Sequence, residues 1–252
     1  FERLARYVLK RLGNREPDVL GEEGRIMVLR ALLGREEGAL KYFGRSARAA
    51  GLARDVSGVL RTFQEHGMGS GRLRILAEQG ALPESLRWKL TDWSRLLEGY
   101  QGWWKTAGLE DPSELAWQAV AALRDGTAEP WFEAVWMDGF AEMTPAEVAL
   151  LAAVSRRAQR TTAAFCLDSS AAAGGRVGLW NVVERTFRAC HAALAAHATS
   201  EPEVIELGRS IGRFEESPVL RALEVRMATG VPVPMPDGAG ERSAVRCVRC
   251  PD

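Results

Sequence analysis

Residues 131–168, WFEAVWMDGFAEMTPAEVALLAAVSRRAQRTTAAFCLD, decide the fold. Ala134, Val135, Trp136 and Met137 form a short apolar run suited to a strand buried on both faces, and Thr161 to Leu167 reads the same way. Between them Thr144-Pro145-Ala146-Glu147 opens a helix: an N-cap threonine, proline at the first helical position and a glutamate three residues past the cap together make a capping box. Strand, helix and strand in that order form a crossover that belongs in a parallel sheet. Each apolar run ends in an aspartate, Asp138 and Asp168.

Outward from this stretch the signals are helical. Glu2 to Leu12 places Leu4, Val8, Leu9 and Leu12 on one face and is stopped by Gly13. From Val19 to Leu123 helical patterns follow one another: Ile26, Leu29, Leu32 and Leu33, then Leu52 to Phe63, then Leu73 to Gln79. The longest runs from Pro83 to Thr106, with Leu86, Leu90, Trp93, Leu96, Leu97, Tyr100 and Trp104 at steps of three and four. Asp111-Pro112-Ser113-Glu114 opens one more helix, Leu115 to Leu123. Beyond the quoted stretch, Ala171 to Gly175 is a small-residue loop, Trp180 to His197 a helix, Glu203 to Leu207 a short strand and Pro218 to Ala228 a helix. A Pro/Gly-rich linker, Thr229 to Gly240, leads to a last strand at Ser243 to Cys247. The expected class is helix-rich α/β.

Thirty-three basic and 33 acidic side chains give a net charge of zero, so nucleic-acid contact must come from a local patch. No apolar stretch is long enough to span a bilayer and no signal peptide opens the chain, which predicts a soluble, cytoplasmic protein with no membrane partner. Cysteines at 166, 190, 247 and 250 suit a reducing compartment better than a disulfide framework. Because the chain begins at Phe1, it reads as a piece of something longer.

An aspartate at the end of an apolar strand is where P-loop nucleotidases hold magnesium, and Asp138 stands there. Active helicases of the UvrD-like class follow that aspartate with a glutamate base, whereas Gly139 follows here. The second strand ends Asp168-Ser169-Ser170 in place of a glutamine-bearing loop. A phosphate loop of the form G-x-x-x-x-G-K-[ST] is absent from the sequence, and Gly67-Met68-Gly69-Ser70-Gly71-Arg72 lacks its lysine and reads as a turn between helices. Asp138, Gly139 and Asp168 are therefore the marks of a degenerate nucleotidase motif, and no catalytic residue is expected.

Two candidates for DNA contact follow. Between Gly44 and Arg74 the six arginines Arg45, Arg48, Arg54, Arg61, Arg72 and Arg74 face two acids, Asp55 and Glu65, a net of +4 that is either a phosphate-binding surface or a solvated helix face. Phe140, at the carboxyl end of a strand, either stacks on a base or covers the core. Trp104 belongs to the apolar stripe, so Trp103-Trp104 is expected to be core. Cys247 and Cys250 have metal-ligand spacing but lack two further ligands, so no metal is expected.

Phe1-Glu2-Arg3-Leu4-Ala5, the run Lys89-Leu90-Thr91-Asp92-Trp93 leading to Tyr100, and above all Val135-Trp136-Met137-Asp138-Gly139-Phe140 followed by Thr144-Pro145-Ala146-Glu147 resemble the AddB-type subunit of bacterial ATP-dependent helicase-nucleases. The resemblance covers nearly the whole chain. It implies an incomplete RecA-like subdomain 1A from residues 1–17 and 127–228, a helical insertion, subdomain 1B, from 18–126, and in 229–252 a linker and the first strand of the next domain. It also implies a helicase-like segment that has lost motor activity and guides or scans single-stranded DNA in double-strand break repair. The implied partners are single- or double-stranded DNA and an AddA-type subunit. ATP with magnesium and a 4Fe–4S cluster belong to the parent family, the cluster outside this segment, and no cofactor is expected within it. The competing expectation is a helical protein-interaction scaffold with a degenerate nucleotidase sheet and no role on DNA.

Overall fold

The computed structural model describes residues 1–13, 18–80, 82–124, 130–167, 180–196, 201–207, 214 and 216–229. Asp168, the loop at 171–175, His197, most of the expected linker and the strand at 243–247, with Cys247 and Cys250, lie outside the described residues. The chain divides into two compact units. One comprises Phe1–Glu133 with Thr144–Gln159, and the other Ala134–Met143 with Arg160–Asp252.

The first unit is helical: α1 (Glu2–Arg11), α2 (Glu22–Glu36), α3 (Leu52–Glu65), α4 (Ser70–Glu78), α5 (Glu84–Thr106), α6 (Leu115–Arg124) and α7 (Pro145–Ser155). Its core follows from the apolar spacing. Leu29, Leu32 and Leu33 of α2, Val56 and Leu60 of α3, Leu73 of α4 and Trp93, Leu96, Leu97, Tyr100 and Trp104 of α5 close into one cluster. Helix α4 packs on α5, α2 on α3 and α5, and α6 on both α1 and α7. Leu86, at the start of the α5 stripe, stays exposed, so the packed segment begins about one turn later. The Gly67–Arg72 stretch is a link between α3 and α4. Gly67 turns the chain at φ +66°, and a Cβ there would press on the Trp117 ring, so this glycine serves helix packing.

Helix α7 has the capping box expected of it: the Thr144 hydroxyl accepts from the Glu147 amide at 3.3 Å and the Glu147 carboxylate accepts from the Thr144 amide at 2.8 Å. Ala146, Val148 and Leu150 through Val154 are buried, as befits a helix apolar on nearly every side. Thr144→Ala is expected to lower stability by about 1 kcal/mol in chemical denaturation, the usual worth of such a cap.

Strands β1 (Phe132–Met137) and β2 (Ala158–Ala163) form a two-stranded parallel ladder. The Phe132 amide donates to Arg157 O at 3.0 Å at one end and the Ala164 amide to Met137 O at 2.8 Å at the other. The crossover read from the sequence is present, with three corrections. Strand β2 starts three residues before Thr161 and ends before Phe165, because α7 stops at Ser155 and a two-residue turn leads straight into it. Neither strand is buried on both faces: only Met137 is buried in β1, and Trp136 is 70 % exposed. With two strands among the described residues, each is an edge. Glu203–Leu207, expected as a strand, forms none among the described residues, and Val204, Ile205 and Leu207 are exposed.

In the second unit, α8 (Asn181–Ala195) turns Val183, Thr186 and Cys190 inward at steps of three and four, and α9 (Pro218–Thr229) follows. Phe187 of α8 meets Phe165 edge-on at 5.6 Å. No described helix is long and apolar enough to cross a membrane.

Candidate nucleic-acid interface

The turn after β1 is built in the second unit. Gly139 leaves the strand at φ +81°, a left-handed conformation that glycine adopts at no cost in Cβ strain, and no other described atom crowds that side. The turn is then tied to α8: the Thr186 hydroxyl lies 3.0 Å from Ala141 O, and Met143 and Cys190 meet sulfur to sulfur at 3.6 Å. Burial pushes the Cys190 thiol up to about 11, so it stays a neutral apolar group. Between the glycine and this anchor, Phe140 is 39 % exposed at the carboxyl end of the strand. Asp138 is also exposed. Trp136, read from the sequence as core, shows more apolar surface here than Phe140 does, a difference that the apolar run around it concealed.

Asp138 is a lone carboxylate. Among the described residues no three His, Cys, Asp or Glu side chains converge, and Gly139 supplies no base. Cys166, which the sequence places in a buried strand, is exposed past the end of β2. His66 caps α3 with its Nδ1 2.8 Å from Thr62 O.

The arginines belong to the first unit, and all six are exposed. Arg45 and Arg48 lie in and just after the short 3₁₀ turn Gly44–Ser46, Arg54 and Arg61 two turns apart on α3, and Arg72 and Arg74 on α4. Two of the six have acidic partners that sequence distance hides: Arg48 with Glu37 at 2.8 Å, and Arg61 with Glu22. Arg45, Arg54, Arg72 and Arg74 form no ion pair among the described residues. Exposed pairs are weak and yield readily to a polyanion, so the surface keeps its positive balance.

A cavity of about 590 Å³ opens in the same unit, lined by Glu22, Arg25, Arg61, Glu65, Thr144 and Glu147 among others. Its charges are already matched. Arg25 is paired with Asp111, Arg61 with Glu22, and Glu147 is held in the capping box. Glu65 has its pKa raised, chiefly by burial and further by Glu147, against the opposing pull of Arg61. The Thr144 hydroxyl, 3.1 Å from the Glu147 carboxylate, is engaged in the same cap. The sequence pattern did not reveal the buried Arg25, because its partners lie 32 to 86 residues away.

Residues 1–224 match the family model described as ADDB, N-terminal. Similar proteins include the B-type subunit of the ATP-dependent helicase/deoxyribonuclease of Desulforudis audaxviator, 32 % identical over 89 % of this chain and 19 % of that protein. The protein of the same name from Pelotomaculum thermopropionicum is 33 % identical over 89 % of this chain and 20 % of its own length. That of Moorella thermoacetica is 29 % identical over 98 % and 22 %. The chain thus spans about a fifth of the length of the curated relatives it matches.

Proposed function

The chain belongs to the family of AddB amino-terminal segments, and from that premise we propose that it is a non-catalytic, helicase-like part of a helicase-nuclease subunit that guides or scans single-stranded DNA during double-strand break repair. The observation that carries the reading is the set of exposed arginines on the helical unit, Arg45, Arg54, Arg72 and Arg74, without acidic partners among the described residues of a chain whose net charge is zero. Arginine offers a planar fork to phosphate, and contacts of that kind hold a strand without reading its sequence. Phe140, on a turn anchored to α8, supplies a ring on which a base can stack. In this reading residues 1–17 and 127–228 form an incomplete RecA-like subdomain 1A, residues 18–126 are the helical insertion 1B, and 229–252 lead into the next domain. Asp138-Gly139 is the remnant of a motor motif without its base. An AddA-type subunit is the partner, and ATP turnover and nuclease chemistry belong to other parts of the assembly.

The test is binding of a fluorescein-labelled single strand by anisotropy at low salt. The triple variant Arg45→Ala/Arg48→Ala/Arg54→Ala is expected to bind roughly tenfold or more weakly, since each lost phosphate contact removes part of the counterion-release term. Phe140→Ala is expected to weaken binding by roughly fivefold or more with an unchanged salt slope. Unchanged affinity in the triple variant discards the arginine surface. No binding by the unaltered chain favours a protein-interaction scaffold instead.

A further inference from the structure

We propose that Tyr42, with the Lys89 ammonium over its ring, is a base-stacking site for single-stranded DNA on the helical unit; this rests on the reading that the unit contacts DNA. The loop Lys41-Tyr42-Phe43 is held from beneath. Asp92 of α5, 1 % exposed, accepts the amides of Lys41 at 3.0 Å, Tyr42 at 2.7 Å and Phe43 at 3.0 Å. Phe43 turns inward, its ring edge-on to Trp93 at 4.7 Å, and Trp93 in turn meets Phe63. Tyr42 turns outward and is 44 % exposed. One carboxylate and one buried ring therefore fix a three-residue loop whose middle side chain rests edge-on against Phe43 at 4.9 Å and keeps the rest of its ring toward solvent.

A cation lies over that side chain. The Lys89 ammonium lies 5.4 Å from the centre of the Tyr42 ring. Lys41 and Arg45, one residue before and three residues after Tyr42 in the chain, are exposed, and neither they nor Lys89 have an ion pair among the described residues. Trp88 stands one turn before Asp92, on the face of α5 that receives the loop, and is also exposed. Asp92, the nearby acid, spends its charge on three backbone amides. A half-exposed ring on a tethered loop, with an ammonium over it and further exposed cations close by in the chain, complements a strand that alternates π-faces with phosphates. A base can take the place of the ammonium on the ring while Lys89 turns to the adjoining phosphate. An acidic peptide would satisfy the cations and leave the ring without a matching surface.

The experiment compares an oligothymidylate of about 16 nucleotides with a strand of the same length that carries abasic sugars, each fluorescein-labelled and titrated with the chain. The unaltered chain is expected to prefer the strand with bases. Tyr42→Ala and Tyr42→Leu should both lose roughly tenfold in affinity for oligothymidylate and erase that preference, with the salt slope unchanged. Tyr42→Phe should stay within about twofold, because the ring is what stacks. Lys89→Gln should reduce the salt slope by about 0.7, the share of one phosphate contact on a single strand. Far-UV circular dichroism checks that each variant is folded, and the leucine variant keeps the apolar bulk should alanine fail. Binding by Tyr42→Leu equal to that of the unaltered chain, with the preference for bases intact, overturns this site and leaves the DNA reading standing. Absence of binding by the unaltered chain overturns both.

Discussion

Replacing Asp111 with alanine is expected to lower the stability of the helical unit by about 3–5 kcal/mol, the cost of stranding a buried charge. Arg25 is 2 % exposed and Asp111 is 0 % exposed. The guanidinium is bonded to the Asp111 carboxylate, to Gln64 Oε1 at 2.7 Å and, at longer range, to the Tyr100 hydroxyl at 3.4 Å and Ser57 O at 3.5 Å. Its carbon lies over the Tyr100 ring at 4.7 Å. The same carboxylate accepts from the Tyr100 hydroxyl and from the Ser113 amide at 2.8 Å, capping the turn that precedes α6. Burial, and then the Asp111 charge, raise the pKa of Tyr100 far out of its ordinary range, so the phenol stays a neutral donor to that carboxylate. Without Asp111 an arginine remains in the core with neutral acceptors alone, and two donors lose their partner. The double variant Arg25→Met/Asp111→Leu should recover most of the loss, since apolar groups of similar volume replace a buried pair at little cost. Urea denaturation followed by far-UV circular dichroism measures both. A single-variant loss below about 1 kcal/mol, the range of an exposed pair, would mean that water reaches this cluster.

Asp92→Ala is expected to cost about 2–4 kcal/mol, less than three separate amide losses because water can reach part of the loop. All three amides that Asp92 receives belong to consecutive residues, so its removal frees the loop as a unit. Phe43 then loses its fixed approach to Trp93. Hydrogen exchange resolves this from a general loosening: amides 41–43 should lose protection while those in the middle of α2 keep it. If exchange at the loop is unchanged, Asp92 is not what holds it. Because Tyr42 is presented by this loop, the variant should also weaken DNA binding, as a consequence of disorder in the loop and not of a lost contact.

The helices were legible because their apolar residues recur at steps of three and four and because their starts carry local chemistry. Trp93, Leu96, Leu97, Tyr100 and Trp104 are all buried on α5 as their spacing requires, and Thr144-Pro145-Ala146-Glu147 forms the capping box it spells. The strands were legible in order but not in burial. An apolar run reads as a strand covered on both sides, yet how many strands flank it is not written in the run, and Trp136 is exposed for that reason. The candidate interface was legible as composition and obscure as geometry. Six arginines could be counted, but the pairing of Arg48 with Glu37 and of Arg61 with Glu22 depends on how the chain returns on itself. Tyr42 and Lys89 stand 47 positions apart, and it is the loop's attachment to α5, through the Asp92 carboxylate and the Phe43 ring, that brings them together.

Whether this segment holds a DNA strand through phosphate contacts on its helical unit is tested most directly by the salt dependence of its affinity for single-stranded oligothymidylate. The predicted result is a linear fall of log K against log salt with a slope of about −2 to −3, as three or four phosphate contacts on a single strand require, and a shallower slope for Arg45→Ala/Arg48→Ala/Arg54→Ala. An affinity indifferent to salt, or no affinity at the lowest salt at which the chain stays folded, would contradict it.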